Sequence, residues 1–71
     1  MTYSEFKSKI DNDLKKYQLR YGQTVMNCLA EVWPKKHKEF VSTDLDCFYN
    51  DNKADRLLDH LERIWEHESD R

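Results

Sequence analysis

One glycine, Gly22, and one proline, Pro34, are all the dedicated turn residues that a chain of 71 residues contains. Sheets and long loops draw on glycine and proline for tight reversals, so a sequence this poor in both reads as helices joined by short connections. It carries no internal repeat or low-complexity segment. The length allows one domain, residues 1–71, and one core. With 38% hydrophobic and 37% charged residues, the chain is too rich in large apolar groups for a disordered segment and too polar for a membrane span.

Apolar spacing divides the chain into elements. Thr2-Tyr3-Ser4-Glu5 has the S/T-x-x-E form of a capping box, and Tyr3, Phe6, Ile10, Leu14 and Tyr17 recur every three or four residues behind it. This predicts a helix over 3–18. Val25, Met26, Cys28, Leu29, Ala30, Val32 and Trp33 sweep an arc of about 200° on a helical wheel, which demands neighbours on more than one side. They define a central helix over 20–33, with Gln23, Thr24, Asn27 and Glu31 as its narrow polar strip. Gly22 either ends the first helix or permits close packing at the start of the second.

Pro34 stops the central helix and opens a short helical turn over 35–41, with Phe40 and Val41 turned inward. The segment Ser42–Asn52 is expected to be a connection held to the core by Leu45, Phe48 and Tyr49. Asn52 is the expected cap of a last helix over 53–67, whose stripe is Ala54, Leu57, Leu58, Leu61, Ile64 and Trp65, with an Asp59–Arg63 ion pair on its surface. The predicted fold is all-α, a small bundle of three principal helices plus a short helical turn.

Chemical signatures are sparse. Asp44, Asp46, Asn50, Asp51 and Asp55 supply oxygen ligands, but an EF-hand register from Asp44 puts Phe48 at the fifth position and Tyr49 where glycine is required. His60 and His67 stand about 10 Å apart along a helix, too far to share a metal, and His37 lies among lysines, so all three are expected in solvent. Cys28 falls in a helix and Cys47 in a connection. A disulfide between them stays open, while two thiols in a reducing, cytoplasmic compartment is the favoured reading. Cys28 has no base near it in sequence and is expected to be inert packing. Phosphate loops, nucleophile elbows and metalloprotease motifs do not occur. The expectation is a non-enzyme with no catalytic residue, no cofactor and no metal.

Charge is unevenly placed. Residues 1–38 carry eight Lys and Arg against four Asp and Glu, and residues 39–71 carry four against ten, so the halves stand at +4 and −6. Lys7, Lys15, Lys16, Lys35, Lys36 and Lys38, with Lys9 and Arg20, offer a basic stripe for a phosphate backbone. The acidic balance, with pI near 5.9, opposes that use. Binding of a protein partner is the leading expectation, because Tyr21, Trp33, Tyr49 and Trp65 exceed what narrow stripes must bury. Nucleic-acid binding is the runner-up, and a homodimer joining basic to acidic halves is a third reading.

Arg20-x-Gly22-Gln23 with Asn27-x-Leu29, followed by Thr43-x-x-Asp46-x-Phe48-Tyr49-x-Asp51, resembles a group of short uncharacterised proteins of bacteriophage and bacterial genomes. The likeness covers about half the chain and implies a small helical fold and a phage or mobile-element origin, without a mechanism. On the wheel, Arg20, Gln23, Asn27 and Glu31 lie on the polar strip, and Asp46, Tyr49 and Asp51 lie in the acidic connection. Two roles fit: a brace, in which Arg20 pairs with an aspartate while Gln23 or Asn27 bonds the connection's backbone, or a protein-recognition surface.

Overall fold

The computed structural model describes residues 1–68, with side chains described through Trp65. It contains α1 (Tyr3–Tyr17), α2 (Tyr21–Val32), α3 (Pro34–Phe40), a 3₁₀ turn (Asp51–Lys53) and α4 (Ala54–Glu68), with no strand among the described residues. The all-α fold expected from the sequence is the fold observed.

Each boundary has a local cause. The capping box closes α1: the Glu5 N–H donates to Thr2 Oγ1 at 3.1 Å and the Thr2 N–H to Glu5 Oε1 at 2.7 Å. Those bonds hold the Glu5 carboxyl below the usual carboxylate range. At the other end Gln18, not Gly22, takes the left-handed conformation with φ 56°. Trp33 ends α2 and caps α3 with φ −143°, and Pro34 supplies the first residue of α3. Asn50 rather than Asn52 caps the next turn, its side chain accepting the Asn52 N–H at 3.0 Å.

Helix α2 is the central element and packs against α1, α3, α4 and the 3₁₀ turn. The apolar arc explains this: Val25, Met26, Cys28 and Leu29 are all buried. Phe6 and Ile10 of α1 and Leu57, Leu58, Leu61 and Trp65 of α4 close the core around them. Trp65 organises one end of it. Its ring lies 4.9 Å from Phe6 and 5.3 Å from Trp33, and its indole N–H donates to the Met1 carbonyl at 2.9 Å. The Tyr3 hydroxyl donates to the Leu58 carbonyl at 3.1 Å, and burial pushes its pKa up to about 12.

Five side chains depart from the sequence expectation, among them Val41, expected to turn inward and 42% exposed because α3 ends at Phe40. Tyr17, the last residue of the α1 stripe, is 56% exposed, since helical period fixes a face but not how far along the helix a neighbour extends. Thr24, assigned to the polar strip, is buried because its hydroxyl donates to the Arg20 carbonyl at 3.0 Å and so needs no water. His60 is half-buried, edge-on to Phe40 with ring centroids 5.5 Å apart, and His37 is also half-buried. The side chain of His67 lies outside the described residues.

Candidate protein-interaction surface

The connection between α3 and α4 is hydrogen-bonded to the α2 backbone at Gly22 by one carboxylate and one thiol. Cys47 is fully buried and its Sγ–H donates to the Gly22 carbonyl at 3.4 Å, while the Gly22 N–H donates to Asp51 Oδ1 at 2.9 Å. Gly22 is required by this approach. A Cβ there would collide with the Cys47 carbonyl oxygen and lie 3.0 Å from Asp51 Oδ1. The role left open for this glycine is therefore close packing at the start of α2. Arg20 stands beside the same carboxylate, with Nε 3.8 Å from Asp51 Oδ2.

The anchoring expected from Leu45, Phe48 and Tyr49 holds for the first two, which pack against the core, and fails for Tyr49. Tyr49 is 83% exposed, Phe48 and Leu45 are half-buried, and Cys47 between them takes the buried position. The polar strip likewise divides. Arg20 meets Asp51, whereas Gln23 is half-buried and Asn27 exposed, and the backbone of Gly22, not either side chain, bonds the connection, through the Asp51 carboxylate and the Cys47 thiol. Glu31 faces α1, 3.3 Å from Lys9 Nζ.

Lys9 also lies 3.5 Å from Asp13, whose other contact is the Cys28 thiol, donating to Oδ2 at 3.2 Å. Cys28 is thus not plain packing but a buried hydrogen-bond donor. Burial first, then the hydrogen bond to Asp13 and its negative charge, push its pKa up to about 12. Burial also raises Cys47 to about 11. Both thiols are free, neither is set up to be a thiolate, and a shallow cleft of about 280 Å³ lined by Asp13, Tyr17, Asn27 and Glu31 adjoins this network. Partial burial alone would lower the Lys9 pKa, yet the Glu31 hydrogen bond with the charges of Asp13 and Glu31 raise it overall. No His, Cys, Asp and Glu grouping that could hold a metal ion occurs among the described residues.

Lys36 does not belong to a solvent-facing basic stripe. It is 7% exposed, its stem and ammonium lying over the rings of Trp33 (5.2 Å) and Phe40 (5.9 Å) and its Nζ 3.1 Å from Glu39. Lys15, Lys16, Lys35 and Lys38 are exposed and Lys7 is half-exposed. They are split between α1 and α3, which do not pack on each other.

A groove of about 290 Å³ opens between the end of α3 and the connection, with Met26 beneath it, His37, Val41 and Phe48 along it, and Tyr49 at its edge. Its wall is held by a dense local network. Ser42 adopts φ 66°, the Ser42 and Phe48 N–H groups donate to the two oxygens of Asp46 at 2.8 and 3.1 Å, and the Thr43 hydroxyl donates to the Phe40 carbonyl at 2.6 Å. Two exposed apolar side chains, Tyr49 and the 42%-exposed Val41, sit on this fixed frame. Asp46 and Tyr49 were legible as candidates from the acidic motif. Met26, Val41 and His37 were not, because their convergence depends on how α3 and the connection fold back over α2.

Comparison of the chain with known family models, with characterised proteins and with solved structures finds no match. No helix among the described residues is long and apolar enough to cross a membrane.

Proposed function

We propose that this protein is a non-catalytic accessory or regulatory protein that acts by binding another protein through the groove between α3 and the acidic connection. The observation that carries this reading is the exposure of Tyr49, 83%, on a segment that is otherwise tied down by Cys47, Asp46 and Asp51. An aromatic side chain held out on a rigid support loses little entropy when a partner covers it, which is the usual setting of an interface anchor. Raised thiol pKa values at Cys28 and Cys47 support a binding role over nucleophilic chemistry. The resemblance to phage proteins supports a host factor as the partner.

The test is capture from host lysate under mild crosslinking, comparing the natural chain with Tyr49→Ser. Truncating an anchor costs about 2 kcal/mol or more, so recovery of the partner should fall about 30-fold. Capture that ignores Tyr49, or no capture at all, refutes the reading. A mobility shift with nucleic acid at about 50 mM salt that Lys15→Glu with Lys16→Glu abolishes would transfer the function to the basic residues.

A further inference from the structure

The protein-binding reading leaves open what enters the groove, and the inference here rests on that reading. We infer that its occupant is a short partner segment carrying one large apolar side chain next to a lysine or arginine.

The apolar requirement comes from size and lining. At about 290 Å³ the groove falls just under the range of about 300–1,000 Å³ usual for drug-sized ligands, so it suits one or two side chains rather than a whole helix face. Met26, Val41 and Phe48 give those side chains an apolar seat.

The cationic requirement comes from charge. Between Lys38 and Lys53 the chain carries Glu39, Asp44, Asp46 and Asp51 and no lysine or arginine. Glu39 and Asp51 are engaged with Lys36 and Arg20, which leaves the half-buried Asp46 in the groove lining and the exposed Asp44 two residues before it in the chain. Because Asp46 accepts a backbone N–H on each oxygen, its charge is fixed in place rather than free to swing into solvent. The exposed Tyr49 ring adds a face that attracts an ammonium or guanidinium group.

A second copy of the chain fits poorly. A two-fold contact through this face would bring the Asp46 carboxylates of both copies into one interface with no lysine or arginine lining the groove to offset them, and like charges in an interface are costly. The accessible surface of 4838 Å² is also close to the roughly 4,700 Å² expected of an isolated domain of this mass, so no packing deficit calls for a second copy.

The experiment is selection of a displayed random dodecapeptide library on the full chain. The expected result is enrichment of peptides with Lys or Arg within two residues of a large apolar residue. Their binding should fall at least tenfold with Tyr49→Ser and with Asp44→Lys, and weaken as salt rises from about 50 to 500 mM. Both positions are exposed, and circular dichroism is the check that the variants fold. Enrichment of acidic or uncharged peptides, no enrichment, binding indifferent to both substitutions, or a dimer that Tyr49→Ser dissociates each overturns the inference. Tyr49-dependent capture from lysate, combined with selected peptides that lack a base, would refute the cationic occupant while leaving protein binding intact. Capture indifferent to Tyr49 would refute the binding reading itself.

Discussion

Replacing Gly22 with alanine should unfold this protein more readily, although at an ordinary helix position the same change stabilises by about 0.5–1 kcal/mol. The added Cβ would occupy the place of the Cys47 carbonyl oxygen and sit 3.0 Å from Asp51 Oδ1 and 3.1 Å from the Cys47 carbonyl carbon. Two of those three atoms are backbone, so no side-chain rotation relieves the contact, and the connection must lift from α2. Lifting removes the Asp51 hydrogen bond to the Gly22 N–H, worth about 1.5–3 kcal/mol for a charged acceptor. It also exposes the buried Cys47 side chain, for about 1 kcal/mol more at the usual return on apolar burial. Setting the gain in helix propensity against these losses leaves a destabilisation of about 1.5–3.5 kcal/mol.

A domain of this length has only about 4–10 kcal/mol to lose, and each kcal/mol displaces its melting temperature by about 4–8 °C. The expected drop is therefore about 6–28 °C. Urea unfolding followed by the fluorescence of the buried Trp33 and Trp65 measures it, with Asn27→Ala as the exposed control on the same helix. A Gly22→Ala protein as stable as the natural chain, or more so, would refute the close approach of Cys47 to α2 and with it the rigid support of Tyr49.

Asp51 separates the two halves of that attachment: Asp51→Asn keeps a neutral acceptor for Gly22 but loses the charge and the exposed pair with Arg20, costing about 1 kcal/mol, whereas Asp51→Ala removes the acceptor and should cost about 2 kcal/mol or more in the same unfolding assay. Equal losses for the two would show that the ion pair matters more than the hydrogen bond. Cys28 makes stability fall in alkali. With its pKa raised from 9.0 to about 12, the folded state keeps a proton that the unfolded state gives up, so the contribution is intact below pH 9 and lost as pH rises toward 12, at no more than about 1.4 kcal/mol per pH unit. Cys28→Ser should flatten that part of the profile, and identical profiles would refute the raised pKa of the buried Cys28 thiol.

Helical period and capping chemistry made most of the fold legible. The Thr2–Glu5 box, the breadth of the α2 arc and the α4 stripe are local patterns, and the residues that carry them do in the structure what their spacing implies. Lys36 shows a signal that was present but overlooked. It stands three residues after Trp33 and four before Phe40, on one helical face with two buried aromatics, so its stem had a place to lie before its charge met solvent. Cys47 offered no comparable signal. Its neighbours Phe48 and Tyr49 are larger and more apolar, and only the missing side chain at Gly22, twenty-five residues earlier, creates the space that buries the smaller residue.

The sequence alone determined the helices, their order and the centrality of α2, because these follow from interactions between residues three and four apart and from the shortage of turn residues. It also set the acidic run that lacks any base between Lys38 and Lys53. Tertiary structure decided which aromatic is left outside. The backbone of the connection meets α2 at Gly22, Cys47 fills the contact, and Tyr49 is turned away beside a groove that no single segment contains. Burial of a loop residue depends on the fit between two distant stretches of backbone, and no local periodicity encodes that fit.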